Sequence, residues 1–131
     1  MSYISSYNSK THVIESKFIQ NLNFAEVKGF ISDGALISKE NNCPFFLSDY
    51  RQVRLKLSTM EIFKVPQIMQ AEFSSLNLWV NRLKRAVVAA EDLEDYRFYE
   101  NAAINRGQHL KVFTDINEAK KWLSESQRYY R

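Results

Sequence analysis

The chain has little of what staples, breaks or loosens a fold. Its 131 residues include one cysteine, two prolines and three glycines. The single cysteine, Cys43, cannot close an intrachain disulfide, so the fold rests on its core and a reducing compartment is expected. Cys43 precedes Pro44, has no base beside it in sequence, and reads as a small, partly buried side chain rather than a reactive thiol. So few glycines and prolines leave little room for a Gly/Pro-rich linker or a disordered tail. That favours a single domain over residues 1–131, with its core at about 12–123.

No apolar run approaches the roughly 18 residues that cross a bilayer, so no membrane span is expected. Residues 1–8 lack a basic region followed by an apolar one; no secretory signal is expected, and the expected location is cytoplasmic. Neither sign of charge dominates, since 18 Lys and Arg against 15 Asp and Glu leave +3. That is a solvated surface with a slight basic excess, short of the clustered cations of a nucleic-acid binder. His12 and His109 are the only histidines. They stand far apart with no H-x-x-x-H spacing, so neither a metal site nor a cofactor is expected. No Gly-x-Ser-x-Gly elbow and no Walker-type glycine loop occurs.

What is present is alternation. In the last third, residues 83–90 read as a strand: a basic pair, Lys84-Arg85, leads into a continuous apolar run over 86–90 that suits a strand covered on both faces. Glu91, Asp92, Glu94 and Asp95 follow, and negative charge is favourable at a helix N-terminus. Leu93, Tyr96, Tyr99 and Ala103 then lie near one helix face, with Gly107 as the C-terminal cap. Residues 110–113 are a strand. Asp115 and Glu118 have the spacing of a capping box, and Ile116, Ala119 and Leu123 share a face with Trp122 beside them. Strand, helix, strand, helix with short loops forces a parallel pair joined by a crossover helix.

Upstream, residues 12–18 read as a first strand. Asn21 and Asn23 mark a turn, and the alternation over 24–31 predicts a second strand in an antiparallel hairpin. Ser32 and Asp33 can cap a short helix over 35–40. Residues 44–48 read as a buried central strand ending at Asp49. Between Tyr50 and Leu57, Val53, Leu55 and Leu57 alternate with Arg54 and Lys56, as an exposed extra strand or an extended loop leaning on the core. Ser58-Thr59-Met60-Glu61 is a capping-box spacing that opens a helix. Ile62, Phe63, Val65, Ile68, Met69 and Phe73 supply its apolar face. Pro66 is expected to kink or restart it near Val65, and the helix is expected to continue over 76–80 and pack Trp79 on the sheet. The tail from Arg128 is expected to fray.

This order of elements resembles the STAS domain, and more narrowly the small SpoIIAA-like bacterial proteins related to anti-sigma-factor antagonists. Four pieces carry the likeness. Gly29-Phe30-Ile31-Ser32 is similar to the strand end leading into the first helix. Leu47-Ser48-Asp49, followed by Leu57-Ser58-Thr59-Met60-Glu61-Ile62, is similar to the family's functional edge. Lys84-Arg85-Ala86-Val87-Val88 resembles the next core strand. Val112-Phe113-Thr114-Asp115 with Glu118-Ala119 and Trp122-Leu123 resembles the C-terminal strand and helix. The resemblance implies an α/β fold with a mixed sheet of about five strands and about four helices, antiparallel first and parallel later. In the antagonists an Asp-Ser-Ser-Gly-like sequence opens the helix after the central strand, and a Ser there is phosphorylated by a partner kinase. Here Leu57-Ser58-Thr59-Met60 keeps the hydroxyls and lacks the preceding Asp and the following Gly. Ser58 is thus a candidate phosphosite by resemblance and a helix N-cap by its own spacing.

Asp49, Glu91, Asp92 and Asp115 are expected near the C-terminal ends of the parallel strands, where open α/β sheets bind ligands. Arg51 and Arg54 can reach the same edge. Such a set suits an anion or acid–base chemistry, or it is loop-rim and capping charge. The candidate interaction edge is Asp49, Arg51, Arg54, Ser58, Thr59 and Glu91. Phe45, Phe46, Phe63, Phe73, Trp79, Phe98, Phe113 and Trp122 are read as core, any surplus being left for a pocket or a dimer face. The functional expectation is a non-enzymatic cytoplasmic regulatory module that binds a protein partner or self-associates. The alternative is a binder of a small apolar or lipid-like ligand, in a cleft like that of lipid-carrying domains of similar outline. Pro66 and the helix bearing Met60, Phe63, Met69 and Phe73 would move to open it. A third class, an enzyme using Asp49 and Glu91, lacks a nucleophile or base within reach.

Overall fold

The computed structural model describes residues 2–54, 56–91 and 94–129. Its strands are β1 (Tyr3–Asn8), β2 (Val13–Phe18), β3 (Phe45–Asp49), β4 (Lys84–Val88) and β5 (His109–Phe113). They form one sheet in the order β1-β2-β3-β4-β5. β1 and β2 pair antiparallel and every later neighbour pairs parallel. The helices are α1 (Phe24–Asn41), α2 (Thr59–Ser75), α3 (Glu94–Ile104) and α4 (Ile116–Gln127). The expected class therefore stands: α/β, a mixed sheet of five strands, four helices.

The parallel strands are added in one direction, β2 to β5. Right-handed crossovers then put α1, α2 and α3 on a single face, where α1 packs on α2 and α2 on α3. α4 covers β3, β4 and β5 from the other side. Alternation along β4 displays both sides. The Lys84 ammonium lies 5.8 Å from the Trp122 ring of α4, and the next residue, Arg85, reaches Tyr99 of α3.

The N-terminal third corrects the sequence reading. Residues 24–31 are helix, and the hairpin partner of β2 is β1, which the sequence reading did not assign. Two signals compete at 24–31. The period-2 pattern places Phe24 and Phe30 on one side, but both are only half-buried. The buried set Val27, Ile31, Ala35 and Ser38 follows the helical period instead. Asn23 settles the start with a capping box: its side chain accepts from the Glu26 N–H at 3.0 Å while Glu26 accepts from the Asn23 N–H at 3.2 Å. Ser32 and Asp33 are therefore interior to α1 and do not cap it. Asp33 instead accepts a hydrogen bond from the Tyr3 hydroxyl of β1.

Three helices hand over to the next segment by one device. Asn42, Asn77 and Gly107 have φ of 48°, 61° and 76°. At each, that residue's N–H and the next one's reach back into the helix: to Lys39 and Ser38, to Ser74 and Phe73, and to Ile104 and Ala103. This is the left-handed helix stop that glycine and asparagine tolerate. Gly107 ends α3 as expected. Asn77 stops α2 short of 76–80, so a short 3-10 turn at Val80–Arg82 follows and Trp79 is left 74% exposed rather than packed on the sheet. α2 runs unbroken through Pro66, so the helix does not restart there. Asp115 caps α4 by accepting from the Asn117 N–H at 2.8 Å, but Glu118 makes no return bond.

The core is continuous across both faces of the sheet, with Ile14, Phe18, Ile62, Phe73, Val88 and Leu123 almost fully enclosed. Of the aromatics read as core, Phe45, Phe46 and Phe73 are buried and Phe113 and Trp122 half-buried, while Phe63, Phe98 and Trp79 are exposed. Residues 50–54 and 56–57 are loop, with Val53 and Leu57 leaning on the core; Leu55 lies outside the described residues. So do Leu93 in the expected helix face and the last two residues of the expected tail.

Candidate functional site

β3 and β4 end side by side, and the Tyr50 N–H donates to the Val88 carbonyl at 2.7 Å, carrying the pairing one residue past the strand. Asp49, the last residue of β3, is committed to Arg51. Its carboxylate accepts from the Arg51 backbone N–H, Nε and Nη2 at 3.0, 2.9 and 2.8 Å. These bonds hold Asp49 below the usual carboxylate range, against the opposing effect of partial burial. The Arg54 N–H donates to the Asn21 side chain at 2.9 Å, which ties the loop to the segment before α1.

Around this tie lies a cleft of about 320 Å³ lined by Asn21, Arg51, Arg54, Lys56, Glu91 and Tyr96, among others. Three of the expected edge residues, Arg51, Arg54 and Glu91, thus come together. Lys56 joins them without having been singled out. Ser58 and Thr59 do not line this cleft. They open α2, where the Ser58 hydroxyl accepts from the Glu61 N–H at 3.2 Å and Glu61 accepts from the Ser58 N–H at 2.8 Å. Asp115 is engaged in capping α4, and Asp92 lies outside the described residues.

Beneath Tyr50–Arg54 is a second, mainly apolar cavity of about 40 Å³. Val27, Ile31, Val65 and Met69 line it, together with Tyr50, Arg85 and Tyr99. Val53 and Arg54 line both spaces, so they form the partition between them. Tyr50 is held in place by its ring, stacked on Phe18 with centroids 4.1 Å apart and 15° between planes. Burial pushes its phenol well above the ordinary tyrosine value; Tyr99 and Tyr96 add to the rise and the Arg85 charge opposes it.

Arg85 is the residue the sequence reading passed over. It is 8% exposed, on a strand flanked on both sides. Its Nη1 donates to the Tyr99 hydroxyl at 3.2 Å and its Nη2 to Gln108 Oε1 at 3.0 Å. Gln108, itself buried, donates its Nε2 to the Pro66 carbonyl at 2.8 Å. The signal was available in Lys84-Arg85: in a strand covered on both faces, adjacent charges point opposite ways and one must enter the core.

At the opposite ends of the parallel strands a groove of about 590 Å³ runs past His12, Cys43, Asn77 and Trp79. His12 sits in the turn ahead of β2 with φ 57° and shares a 2.7 Å hydrogen bond with the Tyr7 hydroxyl. Burial pushes the Cys43 thiol up, which keeps it protonated. Among the described residues no group of three or more His, Cys, Asp or Glu is placed to hold a metal ion, and no helix is long and apolar enough to cross a membrane. Comparison with protein-family models, curated proteins and solved structures finds no match to this chain.

Proposed function

We propose that the chain is a non-enzymatic regulatory or protein-interaction module, STAS-like and bacterial, working in the cytoplasm through the edge formed by Asp49–Ser58 and the start of α2. One observation carries the reading. Met60 and Phe63, one turn apart on α2, are 68% and 53% exposed, close in sequence to the cationic rim of Arg51, Arg54 and Lys56. An apolar pair beside cations suits an acidic, amphipathic protein surface. Asp49 is tied up by Arg51, which leaves the paired-carboxylate chemistry with Glu91 without support. The test is capture from lysate of the native cells by wild type and by the Met60→Asp, Phe63→Asp double variant. Both side chains are exposed, so the fold should survive. A partner retained by wild type and lost by the variant is expected. Identical capture by the two, or turnover of a small substrate by the purified chain, would sink the reading.

A second reading, a small apolar ligand, is favoured by the cavity under Tyr50–Arg54. At about 40 Å³ it has room for a few waters at most, not a lipid, so a ligand held there as the cavity stands must be small.

A further inference from the structure

We propose that the cavity under Tyr50–Arg54 is a binding site for a small, short-tailed monocarboxylate, whose headgroup is held by the Arg85 guanidinium and the Tyr99 hydroxyl. The inference rests on the second reading above and gives that ligand a charge and a headgroup.

Arg85 carries a charge with no counter-charge among the described residues. Arg85 is more than nine-tenths buried, and its two hydrogen bonds go to neutral acceptors, Tyr99 and Gln108. No carboxylate of the described residues lies within ion-pair distance of it. A buried ion is costly unless paired. A lysine or histidine in this setting sheds its proton and escapes the cost; an arginine stays charged. The fold therefore keeps a permanent cation at the wall of an apolar space.

The donors that remain define what fits. The guanidinium fork has N–H groups beyond the two in use. The Tyr99 hydroxyl accepts from Arg85, and among the described residues no group accepts its own proton. A planar fork next to a hydroxyl donor matches a carboxylate. Apolar walls, among them Val27, Ile31, Val65 and Met69, favour a short alkyl tail over a strongly hydrated inorganic anion. Met69 is the adaptable member, able to yield as the tail lengthens. Arg54, in the partition shared with the outer cleft, places a second cation on the approach.

The test is a melting-temperature titration of the full chain with sodium acetate, butyrate, hexanoate and octanoate. Butan-1-ol and hexan-1-ol serve as uncharged matches, and sodium chloride and phosphate as inorganic anions. A ligand that binds only the folded state raises the melting temperature, by an amount that grows with the logarithm of its concentration over its Kd. One or more carboxylates should raise it, with the alcohols and inorganic salts at matched ionic strength doing so at least tenfold less effectively. Arg85→Met should abolish the shift; it also leaves the buried Gln108 Oε1 without its donor, so each variant's shift is read against its own ligand-free melting temperature. Arg85→Lys and Tyr99→Phe, which keep charge and ring respectively, should each weaken carboxylate binding about tenfold. They decide the matter if Arg85→Met does not fold. Equal shifts by alcohols and carboxylates, unchanged in the Arg85 variants, would overturn the carboxylate site and leave the apolar-ligand reading standing. A shift by phosphate or chloride alone would overturn both, as would no shift by any probe.

Discussion

At the N-terminal ends of the parallel strands the chain encloses a groove of about 590 Å³; at the other end it has hollows of about 320 and 40 Å³. The large groove is lined by polar groups already engaged. His12 bonds Tyr7, the Ser38 hydroxyl donates to the Cys43 carbonyl at 2.6 Å, and Gln127 donates to the Thr11 carbonyl at 2.8 Å. Two of its residues, Asn42 and Asn77, are helix stops. The smaller hollows hold more of the arginine and lysine side chains: Arg51, Arg54 and Lys56 line one and Arg54 and Arg85 the other, against Arg82 in the large groove. The difference follows from how βαβ units are wound. A tight left-handed stop consumes its polar atoms in turning the chain into a strand, whereas a loop leaving a strand is free to present side chains. Concavity alone thus records where loops leave gaps, and an uncompensated charge records chemistry.

The sharpest way to break that contrast is to remove one aromatic from each end. Tyr50 is buried, stacked on Phe18 and set edge-on to Tyr96 at 5.9 Å. Tyr50→Ala should cost about 3–5 kcal/mol, the usual loss for a large buried ring. Trp79, 74% exposed at the rim of the larger groove, should tolerate Ala within about 0.5 kcal/mol. Urea denaturation of both variants checks this. A Trp79 variant as damaged as the Tyr50 variant would mean the large groove is a packed interior and not an open surface.

The same contrast explains what was legible in sequence. The C-terminal units β4-α3-β5-α4 could be read because each signal agreed with the next: an apolar run after the basic pair, acidic helix start, Gly107 stop, Asp115 cap. At 24–31 the signals disagreed. An accidental period-2 run masked the Asn23–Glu26 capping box, and β1, with Ile4 exposed and serines at its centre, carries too little burial to announce itself. The count of five strands survived because one strand was wrongly added there and another missed. The candidate edge was legible where charge lies in a loop, at Arg51, Arg54 and Glu91. It failed at Arg85, because a charge at the head of an apolar run looks like a strand flank until the neighbouring helices are known to cover it. Trp79 misled for the reverse reason, since nothing local says that Asn77 turns left-handed.

An intermediate effect is expected at Ser58, between the outer cleft and α2. Both arms of its capping box are formed, so Ser58→Ala should cost about 1 kcal/mol in a urea melt. Ser58→Asp should keep the cap and its stability. A cap-only residue leaves partner capture unchanged in Ser58→Asp. Altered capture, with phosphoserine found in protein from its native cells, would extend the functional edge from the cleft onto α2.

The smallest effect separates the two arginines. Asp49 has its pKa lowered in the folded protein, chiefly by the Arg51 hydrogen bond. A lowered folded pKa gives stability that is present above the unfolded carboxylate value and is lost as pH falls through the folded one. Arg51 is half in solvent, so screening keeps the contribution to a few tenths of a kcal/mol. The stability gap between wild type and Asp49→Asn should therefore shrink between about pH 7 and about pH 2. Arg85 has no acid to lose. Its hydrogen-bond partners are Tyr99 and Gln108, neither of them a carboxylic acid. The gap between wild type and Arg85→Met should stay flat over the same interval. If it instead closes in acid as the Asp49 gap does, a carboxylate reaches Arg85 in solution, and the inner cavity no longer holds the uncompensated charge that makes it a carboxylate site.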